Sequence, residues 1–348
     1  MSHPHMSRLR VTVLGAGSWG TALAALACPR AEVMLWARDP ATAQVLGQQH
    51  RNPRYLPDIP LPENLLATHD FSTAVAHALG GPGDAAGLIV LGVPMAGLAE
   101  TCAELARQWP PQSPALHVLW TCKGIQADSR EWPHEIVARA FAGRAEAHAG
   151  VLSGPSFARE VALGLPVALT VASRHTATGH LAQRAFHGNQ ARIYTSGDIM
   201  GVQVGGAMKN IVAIACGISD GLRLGTNARA ALITRGLAEI RRLGVALGAQ
   251  ADTFNGLTGL GDLVLTATGD LSRNRQAGVA IGQGEAPHRL LARGITVEGA
   301  RCAQAARALG EQLDLDMPIT DVVCQVLFEG LTPRQAVATL LEREPRPE

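Results

Sequence analysis

A short apolar, β-branched run at residues 10–14, RVTVL, passes at once into GAGSWG and then into the Ala-rich stretch TALAALAC. Strand, glycine loop and helix in that order suit few folds, because each glycine answers a separate steric demand. Gly15 permits the tight turn, Gly17 lets a pyrophosphate approach the backbone, and Gly20 lets the helix pack on the strand. The N-terminus of the following helix then faces the anion. A bare GxGxxG is a common turn, but a strand before it and a helix after it point to a dinucleotide site.

Further apolar runs repeat the pattern. EVMLWAR reads as a second strand ending at Arg38, and GLIVLGVP and ALHVLWTCKG as later ones, with helical stretches such as 97–108 between them. Strands alternating with helices predict an α/β domain with a parallel, doubly wound, Rossmann-like sheet. Ligands in such sheets lie beyond the carboxyl ends of the strands. That edge carries Arg38 and Asp39, then Val93 and Pro94, then Lys123 and Gly124. An acidic residue after the second strand binds the ribose hydroxyls of NAD, whereas an arginine accepts the 2′-phosphate of NADP, so Arg38 beside Asp39 leaves both cofactors open with a lean to NADPH. Lys123 reads either as a solvated lysine or as an anion contact on the ligand edge. The small-residue loop LSGPSFARE, residues 152–160, offers the backbone of Gly154, Pro155 and Ser156 to a ligand.

From about residue 200 the strand pattern stops, and helical stretches such as 229–247 and 299–309 take over. The expected division is a dinucleotide-binding domain at 1–197 followed by an all-helical substrate domain at 198–348. A chain of 348 residues exceeds what one core usually serves, which agrees with two domains.

GGAMKNIVAIACG, residues 205–217, reads as a buried helix that nevertheless carries Lys209 and Asn210. Asp262, in a Gly- and Leu-rich surround, is as costly to bury, and each charge offsets the other's desolvation if the two are neighbours. On charge alone a purely structural ion pair explains them equally well. What tips the reading to function is LSRNR, where Ser272 stands as a helix N-cap with Arg273 and Asn274 in the first turn. Amide donors and a guanidinium at one helix start make a phosphate cradle. A cofactor half plus a lysine acid and an anion cradle implies a small phosphorylated ketone or alcohol as substrate.

Composition excludes other classes. Net charge is +1 from 30 basic and 29 acidic residues and only 4% of residues are aromatic, which argues against nucleic-acid or membrane-surface partners. Six cysteines without a CxxC pair read as reduced residues of a cytoplasmic protein. The start, MSHPHMSRLR, lacks the apolar core of a secretion signal, and Met6 is an alternative start. Twelve scattered histidines, without HExxH or a Cys/His cluster, predict no metal site.

GAGSWGTALA, TCKGI, SGPSFAREV, GAMKNIVAIACGISDG, GTNARAALITRGLAEIRRLG, TFNGLTGLGDLVLT and SRNRQAG occur in this order over about residues 10–330. Together they resemble the NAD(P)-dependent glycerol-3-phosphate dehydrogenase family of bacterial type. The resemblance implies reversible reduction of dihydroxyacetone phosphate to sn-glycerol 3-phosphate, the backbone precursor of phospholipids, with NADPH or NADH, by a homodimer. It makes Lys209 the proton donor or acceptor, with Asp262 and Lys123 completing the catalytic group. It assigns Lys123, Gly154, Ser156, Lys209, Asn210, Asp262, Ser272, Arg273 and Asn274 to the substrate. The cofactor contacts it implies are Gly15, Gly17, Ser18, Trp19, Gly20, Arg38, Lys123, Ala158, Arg273, and Thr296 and Glu298 from TVEGA. The segment QADSREWPHEIV and the TCKG approach to Lys123 depart from the family pattern. The rival readings are a β-hydroxyacid-type dehydrogenase, in which lysine and asparagine stand one helical turn apart, and a non-catalytic nucleotide-sensing protein that keeps the fold.

Overall fold

The structure, a computed structural model, describes residues 9–80, 87–110, 113, 115–126, 129–144, 147–188, 190–292 and 298–344. Met6 and Thr296 lie outside the described residues. The chain forms two compact units, one of residues 1–122 with 133–199, the other of residues 123–132 with 200–348. The segment Lys123–Trp132, expected in the first domain, packs instead with the helical unit.

The first unit runs β1 (Arg10–Leu14), α1 (Ser18–Ala27), β2 (Glu32–Trp36), α2 (Pro40–Gln49), β3 (Arg51–Asn52), β4 (Leu56–Pro60), β5 (Leu65–Thr68), α3 (Phe71–Leu79) and β6 (Leu88–Leu91). It continues with α4 (Met95–Gln108), β7 (Leu116–Trp120), α5 (Pro133–Ala140), β8 (Ala147–Ser153), α6 (Ala158–Ala162), β9 (Val167–Ser173), α7 (Thr176–Phe186) and β10 (Ala191–Ser196). Eight strands form one sheet in the order β10-β9-β8-β7-β6-β1-β2-β5, and β3 and β4 make a separate small hairpin. Every residue of β6 and β7 is buried, as strands covered on both faces require, so these read as continuous apolar runs without alternation.

The sheet is parallel except at one pair. β8 and β9 are antiparallel, in register from Gly150 opposite Ser173 to Ser153 opposite Thr170, and β10 follows β9 in parallel. The expected parallel, doubly wound sheet is present, with this one antiparallel pair at its edge. A parallel neighbour needs a crossover that returns the chain along the strand, and the link after β8 carries only the five-residue α6. The chain turns back instead. The second strand also ends earlier than expected, at Trp36, which leaves Arg38 in the loop that follows.

In the second unit, α8 (Ile199–Gly221) and α9 (Gly225–Ala246) precede a 3-10 turn (Ala251–Asn255) and a π-helical turn (Leu257–Gly261). α10 (Asp262–Thr268), α11 (Arg273–Gly282), α12 (Pro287–Ala292), α13 (Glu298–Gln312), α14 (Pro318–Phe328) and α15 (Pro333–Leu341) follow. Among the described residues this half contains no strand after Ser196. α8 is its axis, buried without interruption from Gly201 to Ser219. α8 is long and apolar enough to cross a membrane, yet most of its apolar length is buried inside the protein, as expected of a core helix.

Glycines let other segments reach the α8 backbone. A Cβ on Gly217 would lie 2.1 Å from the Arg275 carbonyl oxygen, and one on Gly278 2.2 Å from that of Ile214, so α8 and α11 meet backbone to backbone. A Cβ on Gly205 would lie 2.2 Å from the Thr258 carbonyl oxygen, so the π-helical turn also rests directly on α8. Gly205 precedes Lys209 by one helical turn and so lies on the same face. The close approach at Gly205 carries the start of α10 toward Lys209.

Candidate active site

In the first unit the loop between β1 and α1 is shaped as its glycines predict. Gly15 has φ +123°, a region that favours glycine, and a Cβ there would lie 2.6 Å from the Gly92 carbonyl oxygen. A Cβ on Gly20 would stand 1.9 Å from the Gly15 carbonyl oxygen, whereas one on Gly17 would meet nothing within 4 Å. The first and third glycines are therefore forced by packing, and the second faces open space. α1 begins at Ser18 and Trp19 with no side-chain cap on its first-turn N–H groups. Those uncapped donors beside the open Gly17 fit a dinucleotide pyrophosphate.

Beyond β2 the two candidate ribose contacts differ. Asp39 caps α2, accepting from the Thr42 backbone N–H at 2.9 Å and from its hydroxyl at 2.6 Å. These bonds hold its carboxyl below the usual carboxylate range. Arg38 is exposed and has no ion-pair partner among the described residues.

At the carboxyl end of β8, Gly154 has φ +133°, and a Cβ would sit 3.1 Å from the Ala168 carbonyl oxygen. The Ser156 hydroxyl donates to the Gly154 carbonyl at 3.2 Å, and Ala158 opens α6.

The second unit holds the charges. The Asp262 carboxylate, fully buried at the first turn of α10, receives two ammoniums. Lys209 donates to its Oδ1, and Lys123 donates to Oδ2 at 2.6 Å. Lys209 Nζ also donates to the Thr266 hydroxyl at 2.8 Å, and that hydroxyl donates to the Asp262 carbonyl oxygen at 2.6 Å. Of the three N–H groups of the ammonium, two are used by Asp262 and Thr266.

The acidities separate accordingly. Lys209 is only 6% exposed, and burial together with the neighbouring Lys123 charge lowers its pKa to about 7 against the pull of Asp262. For Lys123 burial favours loss of the proton, but attraction to Asp262 and a hydrogen bond with it, then a hydrogen bond with the Lys209 amine and the Glu298 charge, raise the pKa above the ordinary lysine value. One carboxylate shared by two lysines thus makes one a ready acid at neutral pH and keeps the other charged.

Beside Lys209, a chain of amides fixes Asn210. The Gly299 N–H donates to Asn274 Oδ1 at 3.0 Å, Asn274 Nδ2 donates to Asn210 Oδ1 at 3.0 Å, and Asn210 Nδ2 donates to Glu298 at 3.4 Å. Ser272 is the N-cap of α11, accepting from the Arg275 N–H at 3.3 Å. Arg273, the first residue of that helix, is exposed and has no ion-pair partner among the described residues.

The structure therefore gathers Lys123 and Lys209 about the Asp262 carboxylate, and Asn210, Asn274 and Glu298 in one hydrogen-bonded chain. Glu298, assigned by resemblance to the cofactor, touches Asn210. Thr266 was missed by the sequence reading. Its signal was its place four residues after Asp262, on the same face of a helix. Among the described residues no group of three or more His, Cys, Asp or Glu is arranged for a metal ion. Cys216 is buried in α8, which pushes its thiol up to about 12, too high for a nucleophile.

Comparison with known proteins accounts for both halves. The family description "NAD-dependent glycerol-3-phosphate dehydrogenase N-terminus" matches residues 10–179, and the corresponding C-terminal description matches residues 198–338. The chain belongs to this family. A relative from Ralstonia nicotianae named glycerol-3-phosphate dehydrogenase (NAD(P)+) is 52% identical over 98% of this chain and 99% of its own. The crystal structure of the Coxiella burnetii glycerol-3-phosphate dehydrogenase superposes with TM-score 0.86 at 39% identity, covering 97% of this chain and 99% of that one. A Plasmodium falciparum glycerol-3-phosphate dehydrogenase, 21% identical with TM-score 0.84 over 97% of each chain, shares the fold.

Proposed function

We propose that this member of the glycerol-3-phosphate dehydrogenase family reduces dihydroxyacetone phosphate to sn-glycerol 3-phosphate, reversibly, with Lys209 as the proton donor. The observation that carries the residue roles is the single buried carboxylate shared by Lys209 and Lys123. When bound, the reduced nicotinamide supplies the hydride that converts the carbonyl carbon to an alcohol. The carbonyl oxygen then needs a proton, and the Lys209 ammonium, held by Asp262 and Thr266, gives it. In the reverse direction the neutral amine takes the proton back. Lys123 stays charged and stabilises negative charge on the substrate, while Asp262 holds both ammoniums in place. Asn210, held beside Lys209 by Asn274, Glu298 and the Gly206 carbonyl, is read as a further substrate contact.

Arg273 and the first turn of α11, with Ser272 and Asn274, are read as the phosphate cradle. The Gly154–Ser156 loop is read as a further substrate contact. Gly15, Gly17, Ser18, Trp19, Gly20, Ala158 and Glu298 are read with the cofactor, as are Lys123 and Arg273. The enzyme uses NADPH or NADH. Arg38, free while Asp39 is engaged as a helix cap, supports a preference for NADPH. The product is the backbone precursor of phospholipids, which fits the family.

We also read the protein as a cytoplasmic homodimer. The first part is supported by six buried cysteines, none of them in a disulfide, the second by the family resemblance. The β-hydroxyacid alternative is disfavoured by the adjacency of Lys209 and Asn210.

NADPH oxidation followed with and without dihydroxyacetone phosphate tests the activity. Lys209→Ala is expected to lower kcat by about 10² or more while NADPH binds as before. Near-normal turnover by that variant refutes the assignment.

A further inference from the structure

The first turn of α11 carries two arginines in opposite circumstances. Arg273 is exposed and has no ion-pair partner among the described residues, whereas the Arg275 side chain is only 15% exposed and fully engaged. Arg275 Nε and Nη2 both reach Asp220 Oδ2 at 2.9 Å, and its Nη1 reaches Asp270 Oδ1 at 2.9 Å. Positions two apart on an α-helix are rotated by about 200°, so one guanidinium turns away from the side the other occupies.

Asp220 stands at the end of α8, the helix that carries Lys209. Its second oxygen, Oδ1, accepts from Arg229 Nη1 of α9 at 2.9 Å. One carboxylate thus ties α8, α9 and the first turn of α11 together. The α8–α11 pairing itself is already secured by the backbone contact of Gly217 and Gly221 with Gly278 and Gly282. A largely buried ion pair is weak evidence of net stabilisation, because desolvation offsets its attraction. What it does fix is rotation about the helix axis and the place of one positive charge.

We propose that Asp220 is a positioning residue for phosphate recognition. By clamping Arg275 it sets the rotation of the first turn of α11, so that Arg273 and the neighbouring N–H groups meet the phosphate. Asp270, whose side chain is 97% exposed, contributes little to the clamp. The proposal rests on the reading of Arg273 as the phosphate contact.

The test uses the full enzyme and the ratio of kcat/KM for dihydroxyacetone phosphate to that for dihydroxyacetone, which lacks the phosphate. The ratio isolates binding energy drawn from the phosphate and is independent of the fraction of protein that is active. Arg273→Ala is expected to lower it roughly 100-fold, and Asp220→Asn about 10-fold. In the Arg273→Ala background, Asp220→Asn is expected to have no further effect, because it acts through Arg273. Arg275→Gln removes the other half of the pair and gives the same readout should Asp220→Asn fail to fold. If Arg273→Ala lowers the ratio and neither Asp220→Asn nor Arg275→Gln does, the proposal is wrong and the phosphate reading stands. If the two losses add in the double variant, Asp220 does not act through Arg273 and the proposal is again wrong. An unchanged ratio in Arg273→Ala removes the phosphate reading itself.

Discussion

The glycine loop of the first unit and the charge cluster of the second prepare for chemistry by opposite means. In the loop, function comes from atoms that are missing. Gly15, Gly17 and Gly20 lie within six residues, and what matters is where a Cβ would not fit or would stand in open space. In the cluster, function comes from charges added at some cost. Lys123 and Asp262 are 139 positions apart and Lys209 and Asp262 are 53 apart, so the fold must close long loops before any of them is compensated. A backbone site tolerates almost no change in shape, whereas a charge site tolerates almost no change in balance.

The sharpest way to break this contrast is to remove the shared carboxylate. Asp262→Asn leaves two lysines without their anion, and removal of one partner of a buried pair costs about 3–5 kcal/mol. The expected outcome is that loss in a denaturant titration, together with turnover reduced by about 10² or more. A variant with unchanged stability would mean that the lysines are not held as described.

In the loop, Gly20→Ala places a methyl 1.9 Å from the Gly15 carbonyl oxygen, where only backbone can yield. Overpacking of this kind costs about 1–3 kcal/mol, and weaker NADPH binding is expected in a fluorescence titration, with the charge cluster untouched. Unaltered NADPH affinity would show that the third glycine is not needed for the loop.

A smaller effect is expected at Arg38. Arg38→Ala should raise KM for NADPH about tenfold and leave KM for NADH unchanged, since only NADPH carries the 2′-phosphate. Equal changes with both cofactors would return Arg38 to the role of a solvated loop residue.

The two regions were also unequally legible in the sequence. The loop could be read almost completely, because strand, glycines and helix are contiguous and each spacing has one steric meaning. The reversal of β9 and β10 could not, since an apolar strand has the same pattern whichever way it runs. Lys209 and Asp262 stood out as charges in apolar surroundings, and their pairing followed from the cost of leaving either alone. The grouping of Lys123 with Lys209 and Asp262 came only from the resemblance; its own position after β7 suggests the sheet edge, whereas its segment packs with the helical unit. Thr266 was overlooked for a simpler reason. A threonine in an apolar helix carries no charge to betray it, and only the Asp262 carbonyl and the Lys209 ammonium on its hydroxyl give it a part.

The most direct test of the proton-donor claim is the pH dependence of kcat/KM in both directions. With the Lys209 pKa lowered to about 7, the ammonium needed for reduction is lost as pH rises through that value, and the neutral amine needed for oxidation is gained. Reduction of dihydroxyacetone phosphate should therefore fall about tenfold per unit above the break, while oxidation of glycerol 3-phosphate rises to a plateau across the same break. Profiles flat from about pH 6 to 9 in both directions would contradict the account.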